Sequence, residues 1–395
     1  MGSALSDVGN GLYRLALPWM AYDLSHSAFV LAAVATLQSI PGLLLPIMGQ
    51  WLDRIIHTRK VIVGSGLLQA MLIVCTVGLE HMHLLQLGFL YVVVGAMSVL
   101  SLLLFSATTV FISRNVLKEA RVAVNSFGAV LSTITWNISP GIAGFFIQRW
   151  GMDITLIIDA GSFLFVLVPA LFISEKRVLP IVVFDQSNSL HFKEFLAMFK
   201  KAPRLLWLTV FFIIWYFTWG GTFALTVFLL RQYHHLPANL VGAAMAIGGL
   251  FPIALGVLGP WLSRHIRLPW LIFLTLCVSG VGMILLGIAS NLFTISIALG
   301  CLDSGIAPSS IALTSITQTE VPSHMYGRAS GWQNFLMLLA QTIASMLAGI
   351  MAIHFGAPLT VMIFGALTII SSIFLFATPL KRDLSLGKII SNNER

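Results

Sequence analysis

Long apolar runs separated by short polar connections repeat along the whole chain. A helix needs about 18 to 20 apolar residues to cross the hydrocarbon of a bilayer. That measure predicts twelve spans, at 3–24, 29–52, 61–79, 84–113, 122–148, 154–173, 205–231, 237–262, 269–290, 292–319, 328–353 and 358–378. Two echoes group them. Gly49-Gln50-Trp51-Leu52-Asp53-Arg54 returns as Gly259-Pro260-Trp261-Leu262-Ser263-Arg264 at an offset of 210 residues, and Ala143-Gly144 with Gly151 returns as Ala348-Gly349 with Gly356 at an offset of 205. The pattern predicts a duplicated membrane protein: a six-helix bundle over 1–173, a linker over 174–204, a second six-helix bundle over 205–378 and a tail over 379–395.

Composition supports the pattern. Hydrophobic residues make up 58% of the chain and charged residues 9%, with a mean hydropathy of +0.94. Soluble domains carry roughly 25% charged residues, so a soluble fold of this length is excluded. The net charge of +8 is placed between apolar runs and points to membrane surfaces, not to nucleic acid. With Arg54, Arg59 and Lys60 inside, all but three of the 22 Lys and Arg fall in inner segments. The exceptions are Arg149 and Arg231 in outer turns and Arg14 within the first span. This is the positive-inside distribution, with both termini and the linker cytoplasmic. The first run contains Asp7 and Arg14 and lacks a basic leader, so no cleavable signal is expected. Cys75, Cys277 and Cys301 sit in apolar runs and form no disulfide framework.

Within the linker, Leu190, Phe192, Phe195, Leu196 and Phe199 share one helical face, with Lys193 and Lys200 off it. An amphipathic helix lying on the membrane surface is predicted there.

Twelve spans as six plus six, a long middle loop and Gly49-x-x-x-Asp53-Arg54 after span two resemble the major facilitator superfamily. Gly11-Leu12-Tyr13-Arg14-Leu15-Ala16-Leu17-Pro18-Trp19 and Ile158-Asp159-Ala160-Gly161-Ser162-Phe163 are similar to its bacterial drug-efflux branch of macrolide and enterobactin exporters. Ser139-Pro140-Gly141-Ile142-Ala143-Gly144 resembles the antiporter motif Gly-Pro-x-x-Gly-Gly, with Ser139 in place of its first Gly. The resemblance implies an all-α fold of two pseudo-symmetric six-helix bundles around a central cavity. It also implies a gate in which Asp53, with Gly49, Arg54, Arg59 and Lys60, docks at the start of span eleven beside Gly327-Arg328.

Charges inside a bilayer cost about 3 kcal/mol or more and usually face a water-filled cavity. Asp7, Arg14, Asp159 and Asp303 are therefore candidates for proton coupling. Asp303 sits near mid-span, flanked by Gly300, Gly305 and Pro308, which loosen the helix; Arg14 is its candidate counter-charge, with a permanent interhelical ion pair as the alternative, and Asp159, nearer the outer end of span six, reads rather as structural. Candidate cavity residues are Trp136, Asn137, Trp215, Tyr216, Trp219, Gln333, Asn334 and Gln341. Trp215 and Trp219 share a helix face and could stack on a bulky apolar or cationic ligand. His81 with His83 and His234-His235 lack supporting carboxylates at metal spacing, so no metal is expected. No phosphate-binding loop occurs, no intramembrane nucleophile–base pair is evident, and no cofactor beyond a proton gradient is needed.

The expectation is a monomeric, multi-pass protein of the bacterial inner membrane. It exports a small amphipathic compound by proton-coupled alternating access. A lipid or glycolipid flippase of the same fold is the alternative.

Overall fold

A computed structural model describes residues 2–44, 58–115, 118–172, 195, 199, 202–322 and 325–382. The described chain is helical throughout, with no strand. The helices are α1 (Gly2–Ser25), α2 (Ala28–Ser39), α3 (Thr58–His81), α4 (Leu87–Asn115), α5 (Lys118–Phe172), α6 (Pro203–Phe228), α7 (Ala238–Gly248), α8 (Leu250–His265), α9 (Leu268–Ile288), α10 (Leu292–Asp303), α11 (Ile306–Glu320), α12 (Tyr326–Phe355) and α13 (Ala357–Phe374). Eight of the described helical segments are long and apolar enough to cross a membrane.

Spans five and six run together as α5, which turns at Gly151 with φ 88° and ψ 172°. The same turn separates α12 from α13 at Gly356, with φ 80° and ψ 151°. This backbone region is essentially reserved for glycine. The likeness extends past the turn: Thr155 donates to the Gly151 carbonyl and Thr360 to the Gly356 carbonyl, each at 2.8 Å. The offset of 205 seen in the sequence is thus a repeated local structure. Span ten breaks into α10 and α11 at Ser304-Gly305, beside the glycines and proline expected to loosen it.

The chain forms two compact units, Met1–Phe184 with Val227–Ala246, and Asp185–Thr226 with Ile247–Arg395. In the first, α1 packs along α5, and α3 against α4 and α5. In the second, α9 packs against α13 and α10, and α8 against α11. Helix-interior hydroxyls bond to carbonyls four residues back, as in Thr76 to Leu72, Ser98 to Val94 and Thr222 to Thr218. Without water in the hydrocarbon, a polar group needs a partner inside the protein. Thr368 also donates to Thr218 at 2.7 Å, tying α13 to α6.

Of the linker, Phe195 and Phe199 are described. Both are buried, their rings 4.7 Å apart, and Phe195 stacks on Trp332 of α12 at 6.3 Å. These two members of the apolar face meet protein. The other residues of that face lie outside the described residues.

Candidate functional site

The first unit carries a mid-depth cation. Arg14 lies 11 residues from the end of α1 at Ser25, about 16 Å at 1.5 Å per residue. Its guanidinium carbon stands 3.2 Å from the ring centroid of Trp136 on α5, and its Nη1 donates to the Trp136 carbonyl at 3.4 Å. Trp136 keeps 49% of its surface exposed. Asn137 spends its amide on the Thr133 carbonyl at 2.8 Å. Tyr13, beside Arg14 in the chain, is buried and within hydrogen-bonding reach of Ser98, with Arg14 and Asp159 both in electrostatic range of its hydroxyl.

Asp159 is fully buried, and neither carboxyl oxygen has a hydrogen-bond partner among the described residues. Such a site penalises a charge severely. One helix turn beyond Thr155, it occupies a position where an apolar side chain would pack at no electrostatic cost.

In the second unit the acid is held. Trp219 on α6 donates its indole N–H to Asp303 Oδ1 at 2.6 Å. Trp215, one turn earlier, donates to Ser279 at 3.0 Å, and Ser279 donates to the Leu302 carbonyl at 2.7 Å. Asp303 therefore ends α10 against a fixed aromatic ladder. In that ladder, Trp215 and Trp219 stack at 6.0 Å and 28°, and Trp219 and Phe223 at 5.2 Å and 15°. Tyr216 meets both tryptophans edge-on. Both tryptophans are buried, so their shared face is packed in this structure. A small apolar gap of about 10 Å³ adjoins the ladder, lined by Phe211, Phe212, Trp215, Ile272 and Leu276.

Of the amides on α12, Gln333 is buried and committed to its neighbours. It donates to Thr209 at 2.9 Å and accepts from Thr317 at 3.4 Å. Asn334 is exposed, and Gln341 is half-buried against the backbone at Gly220. Of the gating candidates, Gly49, Asp53 and Arg54 lie outside the described residues, as do the side chains of Arg328 and of Asp7. Arg59 and Lys60 occupy the first turn of α3. Basic groups there oppose the helix dipole, so a membrane surface explains their position better than helix electrostatics does.

Two features of the first unit bring in partners that the sequence did not indicate. The motif Ser139-Pro140-Gly141-Ile142-Ala143-Gly144 packs on α7 so closely that a methyl on Gly144 would strike the Ala238 carbonyl, and one on Gly242 the Pro140 carbonyl. Beyond α6, Arg231 forms a clasp with the end of α1. It pairs with Asp23, donates to the Trp19 carbonyl at 3.1 Å and lies over the rings of Trp19 and Tyr22 at 4.1 and 4.3 Å. Tyr22 in turn donates to Gln232. The one signal for the clasp was that Arg231 breaks the charge distribution. Nearby, Glu80 lies in electrostatic reach of Asp153 and Asp23, and His81 approaches Asp153 at 3.9 Å. No group of three metal-ligating side chains occurs among the described residues.

Comparison with known proteins places these features in a family. Curated protein sequences give no match. Among solved structures, the chain is similar to the nucleoside transporter NupG, with a TM-score of 0.78 and 13% identity over 95% of this chain and 98% of that one. It is similar to the peptide transporter POT (TM-score 0.73, 12% identity, 98% and 94% covered). It is also similar to a bacterial homologue of the iron transporter ferroportin (TM-score 0.67, 16% identity, 94% and 97% covered). At such identities the likeness is one of fold. The family model described as Major Facilitator Superfamily matches residues 1–345; the chain belongs to that superfamily and has its all-α, twelve-helix membrane fold.

Proposed function

We propose that the protein is a proton-coupled secondary transporter of the bacterial inner membrane, with both termini inside. It exports a small amphipathic compound of drug-like, macrolide or siderophore class by alternating access. The similar structures are transporters of nucleosides, peptides and iron, so the fold leaves the substrate open and the side chains must argue for it.

The observation that carries the reading is Asp159. An ionised carboxyl group with no exposure and no hydrogen-bond partner among the described residues costs several kcal/mol, so Asp159 is the group on whose proton the cycle can be built. It can release its proton once a conformational change admits water or a donor. Asp303 complements it in the second unit, where its carboxyl accepts the indole N–H of Trp219. The reading assigns the exchange of a proton for substrate over a cycle to these two intramembrane acids, one in each unit. The Gly151 turn, eight residues before Asp159, offers a point about which that helix can swing.

The test uses protein reconstituted in liposomes with a trapped pH dye, under an imposed proton gradient. Erythromycin, a catecholate siderophore and ethidium serve as probes. The reading expects probe-evoked proton movement that is lost in Asp159→Asn and reduced in Asp303→Asn, with both variants folded. Proton movement unchanged in both variants would overturn it.

A further inference from the structure

Three exposed stripes of the second unit run to the same end of it. On α8, Val257, Trp261 and His265 follow at four-residue spacing, so they share a helix face, and all three are exposed. Trp270 opens a like stripe on α9, continued by Leu274 and Val278, and Ile370 and Phe374 carry a third to the end of α13. Apolar rows exposed on membrane-spanning helices lie against acyl chains.

At their common end the stripes turn aromatic. His265 stacks on Trp261, centroids 4.8 Å apart at 29°, with its Nδ1 2.8 Å from the Trp261 carbonyl. A carbonyl only accepts, so Nδ1 carries the proton and donates, and the bond fixes the imidazole on the indole. Trp270 and Phe273 of α9 meet Phe376, just past α13, in a triad with centroids 5.0 to 5.8 Å apart. Tryptophan that ends a lipid-facing stripe sits at headgroup level.

The charge at this end has one sign. The turn between α8 and α9 carries Arg264, His265 and Arg267, and no Asp or Glu occurs between Glu194 and Asp303. In the repeated turn of the first copy Asp53 stands where Ser263 stands here, so the second copy has lost the acid that would offset its arginines. The short turn Pro379–Arg382, which packs on α9, brings Lys381 and Arg382 in sequence, with Asp383 as the one acid next to them. Arg267 is exposed, and its side chain makes no hydrogen bond or ion pair with another described residue. It follows His265 by two residues and precedes Trp270 by three. A guanidinium matches phosphate oxygens two at a time, and here it stands at the foot of rows that suit acyl chains.

We propose that this end of the second unit holds an anionic phospholipid, its phosphate on Arg267 and its chains along α8 and α9. A soluble anion would satisfy the cation and leave the adjoining apolar rows uncovered; a lipid satisfies both. The proposal goes beyond the transport reading and needs only the membrane fold, so failure of proton coupling at Asp159 leaves its test readable.

Native mass spectrometry of the purified full-length protein, titrated with phosphatidylglycerol or with phosphatidylcholine of the same chains, gives an affinity for each lipid. Phosphatidylglycerol should bind about tenfold more tightly. Arg267→Gln should cut that preference to about twofold. Arg149→Gln, an equal change of charge at an exposed position of the first unit, should leave it intact. Equal affinities in the native protein, or an unchanged preference in Arg267→Gln, would overturn the proposal. So would an equal loss in Arg149→Gln, which would make the effect one of net charge. Displacement of the lipid by inorganic phosphate would assign the cations to a soluble anion, and a dimer that excludes lipid would assign the face to a second copy; either overturns it. Should Arg267→Gln not fold, the native ratio still decides, together with Trp270→Leu. That exchange removes a half-exposed ring beside the site and should weaken phosphatidylglycerol severalfold; an unchanged affinity would count against the site.

Discussion

Two stretches 205 residues apart begin alike and end differently. From Gly151 and from Gly356 the chain makes the same left-handed turn, and four residues on a threonine hydroxyl caps the glycine carbonyl at the same 2.8 Å. Four residues further, the second stretch places Phe364 in the core, 5.9 Å from the ring of Phe217 and pressed on Gly221. The first stretch places Asp159 there, equally buried and with no hydrogen-bond partner for its carboxyl among the described residues. A duplicated scaffold thus keeps a packing residue in one copy and an acid in the other. The difference teaches where stability and function part: the repeat supplies the frame, and the departure from it supplies the chemistry.

The largest effects should come from exchanging those roles. Phe364→Ala removes a buried ring from between α6 and α13 and should cost about 3–5 kcal/mol, read as a fall in the thermal midpoint of the purified protein. Asp159→Leu replaces an unpartnered carboxyl by an apolar side chain and should leave that midpoint unchanged or raise it, while abolishing proton-coupled transport. If Asp159→Leu destabilised the protein as much as Phe364→Ala, Asp159 would be a packing residue and the contrast would collapse.

The acids themselves differ in a second respect. Asp303 has the indole of Trp219 as donor, and a hydrogen bond to a charged group is worth about 1.5–3 kcal/mol. Trp219→Phe keeps the aromatic stack with Phe223 and removes only the donor. The expected outcome is a loss of about 2 kcal/mol together with a shifted pH profile of transport. A profile identical to the native one would mean that the bond is purely structural.

Much of this frame could be read from residues alone. The apolar runs predicted the spans, because a lipid environment forces twenty-residue helices. The Gly151 and Gly356 echo located a turn, because few residues but glycine tolerate its backbone. Gly300, Gly305 and Pro308 foretold the break that Asp303 closes. What stayed hidden concerns which neighbour a known face meets. The spacing of Trp215 and Trp219 put both on one side of α6 but could not say that Ser279 and Asp303 wait there. Gln333, read as a cavity amide, is spent on Thr209 and Thr317. The Arg231–Asp23 clasp joins residues 208 apart, and no periodicity connects such positions.

The two glycine turns allow the repeat itself to be measured. Gly151→Ala and Gly356→Ala each force a Cβ into a backbone region that costs about 1–3 kcal/mol. The methyl added at Gly151 would touch nothing within 4 Å, so strain alone is tested there. Near-equal drops in the thermal midpoint would show that the copies bear the same load. A drop at one position only would mean that the resemblance of the turns is one of shape without shared energetics.

The smallest effect concerns the repeated turns that follow α1 and α6. His26 and His235 hold the same left-handed backbone, with φ of 48° and 52°, at an offset of 209. The residue before each differs: Ser25 donates to the Ala21 carbonyl, whereas His234 stands half-buried with its Nε2 unpartnered among the described residues. Burial, and after it the neighbouring His235, pushes the His234 imidazole below its ordinary value. The folded chain therefore takes up this proton less readily than the unfolded one. The turn is at full strength above about pH 6.5, the unfolded value, and weakens as pH falls through it. His234→Gln removes that contribution, so its thermal midpoint should fall less between pH 7.5 and 5.5 than that of the native protein. Equal slopes for native protein and His234→Gln would place the acid sensitivity elsewhere, with the Glu80, Asp153 and Asp23 carboxyls as the next groups to substitute.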